Sequence, residues 1–294
     1  MKFSLIKLTV VSLLLAGVVT NKSMAKNRIT SEKTGILLVS FGTSYPEAQG
    51  ALDHIESQVG KAFPETEIHW AFTSKIIRKK LREKGHYVDS PAEALAKMGD
   101  EGFTKVAVQS LHVIPGEEYE NLQKTVNAFK HIPKGVNSLA LGKPLLYKHE
   151  DIAAVCRELE KTFPQGRGAK DAIVLMGHGT NHPSNIFYPG VQYYLWQQSP
   201  HYFLATVEGY PSLDDVLPKL KKQQMKTVWL IPFMSVAGDH ARNDMAGEEP
   251  DSWKSVLEAE GYEVKIVMQG LAEYDELVNI WINHLKEALD ELEN

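Results

Sequence analysis

The sequence has little cysteine: Cys156 is the one thiol among 294 residues. A single cysteine excludes an intrachain disulfide, so the buried core alone has to stabilise the fold. An excess of positive charge is also missing, because the formal net charge is −5 at pH 7. This balance argues against a nucleic-acid-binding protein, which usually carries a basic surface. No phosphate-binding loop pattern occurs either, and we therefore expect no nucleotide cofactor.

Long hydrophobic runs are scarce as well. Residues 8–19 form an apolar run, which is shorter than the about 20 residues that a transmembrane helix needs. Two lysines precede the run, and residues 23–25 follow with small side chains at the positions that a signal peptidase reads. This pattern predicts a signal peptide over residues 1–25, cleaved after Ala25. We therefore expect an exported, periplasmic protein that is not stably inserted in a membrane after cleavage.

Short apolar runs alternate with segments of helical periodicity from residue 33 onward. The apolar runs predict buried strands at residues 36–41, 67–72, 105–113, 171–176, 201–207, 226–234 and 262–268. The periodic segments predict helices at residues 48–63, 91–98, 117–131 and 273–292, with Ser90 as an N-cap. Such alternation is typical of an α/β fold with parallel strands and crossover helices.

The pattern repeats along the chain. The runs at 36–41 and 171–176 both lead into a Gly-Thr turn, and the strands that follow recur in similar order. We predict two similar domains, each a parallel sheet flanked by helices, related by duplication and enclosing a cleft. Their expected extents are 33–145 and 170–294, with a helix and linker at 146–169.

Two short basic clusters occur at residues 78–80 and 219–222. Apolar residues recur around both clusters at helical spacing. We interpret the clusters as solvated helix faces.

Three strands of the second half are each followed by a side chain that can bind a metal ion. These are His178 in GHGT, Glu208 in VEGYP and His240 in AGDHARND. Ligands of open parallel sheets bind outside the carboxyl ends of the strands, so the three side chains are expected at one rim. One such histidine alone is more often structural. Two imidazoles and a carboxylate together predict a site for Co²⁺, Fe²⁺, Ni²⁺ or Zn²⁺ with open coordination positions.

The first half has other residues at the corresponding positions, with Phe41 in place of His178 and Glu118 in place of His240. We predict that this half forms the opposite wall of the cleft, where Phe41 packs on a flat ligand and Glu118 accepts a proton. The alternatives are a core position for Phe41 and a helix-capping role for Glu118. The predicted ligand-binding set of this wall is Phe41, Thr43, Ser44 and His112, of which His112 could equally be a buried structural histidine.

The chain resembles a known family in five segments: LLVSFGTSYPEA, VQSLHVIPGEEYENL, MGHGTNHPSN, TVEGYPSLDDV and VAGDHARNDMAGEEPDSWKS. The family is that of the anaerobic, early-insertion sirohydrochlorin cobaltochelatases of cobalamin synthesis, within the class II tetrapyrrole chelatases. The resemblance extends over nearly all of the chain after the predicted leader. It implies two similar α/β domains that enclose a tetrapyrrole cleft.

The resemblance also implies an activity, the insertion of Co²⁺, or alternatively Fe²⁺ or Ni²⁺, into sirohydrochlorin without ATP. It implies that His178, Glu208 and His240 bind the metal and that His178 accepts a pyrrole proton. The substrate carries many carboxylates, so Arg242 and Lys75 are candidate partners. Other family members are cytoplasmic, so the predicted leader leaves an exported haem- or metal-binding carrier as the alternative function. Assembly into a homo-oligomer stays open.

Overall fold

The computed structural model describes residues 32–294. The predicted signal peptide, residues 1–25, lies outside this range. Residues Glu32–Asn294 form one compact unit. Within it, no helix combines the length and the apolar character that a membrane span requires.

The first sheet lies in the N-terminal half of the described chain. Its four parallel strands are β1 (Thr34–Ser40), β2 (Glu67–Phe72), β3 (Lys105–Ser110) and β4 (Ser138–Gly142), in the spatial order β2-β1-β3-β4. They are connected by helices α1 (Pro46–Ala62), α2 (Lys75–Glu83), α3 (Pro91–Asp100) and α4 (Glu117–Phe129). The central strand β1 is apolar on both faces because helices cover both sides of the sheet.

The second sheet repeats this arrangement. Its parallel strands are β5 (Asp171–Gly177), β6 (Tyr202–Thr206), β7 (Thr227–Phe233) and β8 (Glu263–Ile266), in the order β6-β5-β7-β8. The helices of this half are α5 (His149–Thr162), α6 (Phe187–Gln198), α7 (Leu213–Lys222), α8 (Trp253–Ala259) and α9 (Asp275–Glu293). The shared strand order confirms the predicted α/β class with two similar parallel sheets, and it is the order that a duplication would leave.

The bounds of several elements differ from those expected. Strand β3 ends at Ser110 instead of residue 113, because the chain bends there into the loop before α4 while its apolar side chains continue into the core. Strand β4 and helices α6 and α8 were not predicted, since β4 and α8 are short and α6 begins with Pro189 and Gly190 in its first turn. The Ser90 N-cap is confirmed: its hydroxyl accepts the Glu93 N–H at 3.3 Å, and the Glu93 carboxylate accepts the Ser90 N–H at 2.7 Å.

The last helix joins the two sheets. We expected α9 to belong to the second half, but it packs against β3 and β4 of the first sheet. Helix α5 packs against both α6 and α9. One apolar cluster therefore contains Leu38 of the first sheet, Leu175 of the second sheet and Trp281 of α9. The two sheets share a continuous core, which fixes how they face each other.

We predict that Trp281→Ala lowers the free energy of unfolding by about 3–5 kcal/mol, because it removes a large side chain that is 1% exposed. Urea unfolding followed by circular dichroism measures this change. The matched control is Lys286→Ala on the exposed face of the same helix, with an expected effect within about 0.5 kcal/mol. Equal effects of the two substitutions would contradict the joining role of α9.

Candidate metal centre

A cleft of about 900 Å³ opens at the carboxyl ends of the strands of both sheets. Its walls come from the loops after β1 and β3 on one side and after β5, β6 and β7 on the other. Every predicted site residue lines this cleft: Phe41, Thr43, Ser44, His112, Glu118, His178, Glu208 and His240. The strand-end rule therefore located the cavity correctly, while the roles of the individual residues stay predictions.

The three predicted metal ligands lie together on the second wall. His178 follows β5, Glu208 follows β6 and His240 follows β7, and their ligand atoms all lie within 4.8 Å of one another. The two imidazole rings stand edge to face, with centroids 4.6 Å apart. The side chain of His178 is 41% exposed, that of Glu208 57% and that of His240 28%. Small rotations would bring all three onto one ion, and the exposure leaves that ion reachable from the cleft.

Glycine lets the loops that carry the ligands approach each other. Gly179 has a φ of +80°, and a Cβ atom there would lie 2.5 Å from the backbone nitrogen of Gly209. Because glycine has no Cβ atom, the two loops can approach this closely, and the Glu208 N–H donates to the His178 carbonyl at 2.8 Å. Glycine is therefore required at position 179 by the close packing of the two ligand loops.

In each imidazole a hydrogen bond at one ring nitrogen leaves the other nitrogen free. Nδ1 of His178 lies 2.8 Å from the Gly179 carbonyl oxygen, and Nδ1 of His240 lies 2.7 Å from a carboxylate oxygen of Asp244. Both partners are acceptors, so in the neutral form of each ring Nδ1 carries the proton and Nε2 keeps its lone pair. The Nε2 atoms are thus available to a metal ion or a proton.

Asp244 was not predicted as a site residue. It lies four residues after His240, in a segment of π-helix at Ala241–Met245. The four-residue spacing was the available signal, because such a pair meets on one helical face. A carboxylate that accepts the second N–H of a ligating histidine orients the ring and makes it more basic.

The first wall presents a mixed surface. Phe41 is 45% exposed and faces the cleft, so it is not a core residue. Thr43 is buried, and its hydroxyl accepts the Tyr45 N–H at 3.2 Å, which shapes the turn. Glu118 lies half-buried in the first turn of α4, where the helix dipole stabilises a carboxylate. An aromatic face and a carboxylate therefore oppose the metal ligands.

His112 lies between these residues at the end of β3. Its Nδ1 is 2.8 Å from the Ser110 hydroxyl, and its Nε2 is 3.4 Å from the Thr73 hydroxyl. Burial lowers the pKa of His112 to about 4, so the ring is uncharged at neutral pH. These contacts favour the structural interpretation of His112, although the residue also lines the cleft.

Several polar contacts cross from one wall to the other. The Tyr45 hydroxyl donates to Asp239 at 2.5 Å, and this hydrogen bond raises the pKa of Tyr45. Elsewhere, Nε2 of His182 lies 3.2 Å from a carboxylate oxygen of Glu120. Neither contact was predicted, because the partners are far apart in the sequence and belong to different halves.

A second group of potential ligands, Glu67, His69 and Glu101, lies at the start of β2, at the opposite end of the sheet from the cleft. Lys33 already forms an ion pair with Glu67 at 3.3 Å. We do not assign this surface group a role in the site.

The fold and the cleft define a class of protein: two parallel sheets whose facing loops bring metal-ligating side chains to a shared cavity. The chain belongs to the cobalt chelatase family, since the family model described as "Cobalt chelatase (CbiK)" matches residues 34–290. The predicted family membership is thereby confirmed.

Relatives with this description cover most of the chain. The sirohydrochlorin cobaltochelatase CbiKC of Nitratidesulfovibrio vulgaris is 40% identical over 262 residues, which is 89% of this chain and 93% of that protein. The sirohydrochlorin cobaltochelatase of Salmonella typhimurium is 35% identical over 260 residues, or 88% of this chain and 97% of that protein. Among solved structures, SirB from Bacillus subtilis with Fe³⁺ has a TM-score of 0.57 at 17% identity, covering 88% of this chain and 97% of that chain. This last likeness supports the fold alone.

We predict that Asp244→Asn weakens Co²⁺ binding about 10- to 100-fold, because His240 loses the carboxylate that orients its ring. Titration calorimetry on the protein without residues 1–25 measures this affinity. Asp251→Asn, at an exposed position of the following loop, is the matched control and should bind Co²⁺ like the wild type. Unchanged affinity of Asp244→Asn would show that Asp244 has no part in metal binding.

Proposed function

We propose that the protein inserts Co²⁺ into sirohydrochlorin, giving cobalt-sirohydrochlorin and two protons. The observation that carries this proposal is the convergence of His178, Glu208 and His240 within 4.8 Å at the wall of a large cleft. The names of the two relatives at 40% and 35% identity supply the substrate. A cavity of about 900 Å³ is also in the range of sites that enclose most of a small molecule.

The three ligands would hold the metal ion against the second wall. Two neutral imidazoles and one carboxylate offset part of its charge and leave coordination positions open. The macrocycle would enter between this wall and Phe41, so that its nitrogens face the ion. Each new bond to a ring nitrogen replaces a bond to a protein ligand or to water, and the metal moves stepwise out of the protein site.

Insertion also requires that two N–H protons leave the macrocycle. Nε2 of His178 has a free lone pair, and it can accept one proton once its bond to the metal is broken. It cannot do both at once, so proton transfer follows release of the metal. Glu118, which lines the cleft on the opposite wall, would accept the other proton. The new metal–nitrogen bonds supply the driving force, and no nucleotide is needed.

The names of the two relatives, both cobaltochelatases, are the basis on which we propose the metal. Two nitrogens and one oxygen suit Co²⁺, Fe²⁺ and Ni²⁺ alike, and selectivity among such ions depends on geometry and supply. Solved structures of the related SirB contain Fe³⁺ in one case and cobalt in another. We propose Co²⁺ as the metal substrate, with Fe²⁺ and Ni²⁺ as the ions to compare with it.

We predict that the protein without residues 1–25 catalyses many turnovers of anaerobic Co²⁺ insertion, followed by the absorbance of the product. His178→Ala should reduce the rate about 100-fold or more, because it removes both a ligand and a proton acceptor. His131→Ala, at an exposed position far along the chain from the triad, is the matched control and should retain the wild-type rate.

The outcome also separates the two functions considered. If the wild type binds one equivalent of metal or tetrapyrrole without exceeding the spontaneous rate, the enzyme proposal fails. The exported carrier then becomes the better description of the protein.

We further propose that the chain is exported, on the pattern of residues 1–25 alone. Expression of the full chain in a Gram-negative host should give a periplasmic protein that begins at Lys26. Intact-mass measurement of the fractions tests this expectation, with Ala25→Trp as a variant that blocks cleavage. A cytoplasmic wild-type protein that still carries residues 1–25 would refute export.

A further inference from the structure

Helix α2 concentrates positive charge at the mouth of the cleft. Residues 75–84 contain six lysines and arginines and one glutamate. None of the side chains of α2 is fully buried. From the sequence we interpreted residues 78–80 as a solvated helix face, and most of the basic side chains of α2 are indeed exposed to solvent.

One side of α2 borders the cleft. Ile76, Ile77 and Lys80 line the cavity, and their three- and four-residue spacings place them on one helical face. Lys84, one turn further along, donates from Nζ to the backbone carbonyl of Ser44 at 3.1 Å. Ser44 itself lines the cleft, so this face of the helix continues the first wall outward.

Three of the other basic side chains of α2 have partners elsewhere. Arg78 pairs with Glu93 at 3.4 Å, and Lys79 pairs with Glu83 at 3.8 Å. The Arg82 guanidinium lies over the ring of Tyr87, 4.9 Å from its centroid. Among residues 32–294, neither Lys75 nor Lys80 has a carboxylate within ion-pair distance, and of these two only Lys80 lines the cleft.

Lys80 also differs in charge from the rest of the cleft. The other charged side chains of the lining are acidic: Glu117, Glu118, Glu208 and Asp239. An acidic interior attracts a divalent cation and repels carboxylates. A ligand that carries many carboxylates therefore gains most if its acidic groups point outward, toward α2. The candidates from sequence do not fill this role, because Lys75 does not line the cleft and Arg242 lies over the ring of Tyr45.

Apolar surface adjoins this lysine. Ile76 is 68% exposed and Phe41 is 45% exposed, although both are large hydrophobic side chains. The Ser74 N–H, at the start of α2, donates to the Phe41 carbonyl at 3.2 Å, so the two residues belong to one surface. An apolar patch bordered by an unpaired ammonium group matches a flat ring with a carboxylate at its edge.

We propose that Ile76 and Lys80 form a subsite for the carboxylated edge of the tetrapyrrole, and that Lys80 favours macrocycles with many carboxylates over those with two. The ring edge packs on Ile76 and Phe41, and the Lys80 ammonium donates to a side-chain carboxylate. This subsite rests on the proposed function for the position of the macrocycle in the cleft. The metal ligands do not account for a specificity for acidic tetrapyrroles, and in this proposal Lys80 does.

The test compares two neighbouring lysines on the same helix. Lys80→Gln removes the cleft-facing charge, and Lys79→Gln removes an equal charge from a side chain that is 77% exposed and pairs with Glu83. Binding of an octacarboxylate porphyrin and of a dicarboxylate porphyrin is measured by fluorescence, without metal, on the protein lacking residues 1–25.

For the octacarboxylate, Lys80→Gln should raise Kd about twofold to fivefold, as expected for one partly exposed ion pair. The salt dependence of its binding should become weaker. The dicarboxylate should bind Lys80→Gln and wild type almost equally, and Lys79→Gln should behave as wild type with both ligands.

Equal affinities of Lys80→Gln and Lys79→Gln for the octacarboxylate would overturn the subsite, even where metal insertion is intact. The subsite is also refuted if the wild type binds neither porphyrin or does not favour the octacarboxylate. Conversely, Lys80-dependent binding without turnover would support the subsite while the chelatase proposal fails.

Discussion

The site depends on the continuous core that holds the two sheets with their strand ends facing one cleft. Each sheet alone delivers only one wall, and neither wall encloses a ligand. Helix α9 leaves the second half and packs on β3 and β4, and Trp281 lies in a cluster with residues of both sheets. Because protein interiors are close-packed, this shared core resists rearrangement and keeps the walls opposed.

Acidic and basic side chains lie in different parts of the cleft. The inner lining is acidic and carries the three candidate metal ligands, whereas the outer edge of the first wall carries the unpaired Lys80. A divalent cation and a polycarboxylate ring would then be attracted to different parts of one cavity. The ligands are also partly exposed, which suits a metal that has to leave the protein again. A buried structural site would instead hold its ion with closed coordination.

The central strands and the candidate metal ligands could be predicted, because the patterns that indicate them lie within short segments of the sequence. The strands β1 and β5 are continuous apolar runs, and a parallel strand buried on both faces has that pattern. His178, Glu208 and His240 each follow such a run, so the rule for strand ends placed them at one rim before their distances were known. Strand β4 and helices α6 and α8 were missed, since a short strand of small residues, a seven-residue helix and a helix with Pro189 and Gly190 near its start leave little periodic signal.

The sequence by itself determined the α/β class, the family, and the candidate ligands of the second wall, because propensity, periodicity and motif spacing are properties of short segments. Only the tertiary structure decided that α9 covers the first sheet, that Tyr45 reaches Asp239, and that Lys80 borders the cleft while Lys79 does not. These contacts join residues up to 194 positions apart. Whether such pairs form depends on how whole elements pack against each other. The residue pattern within one segment does not indicate its distant partner.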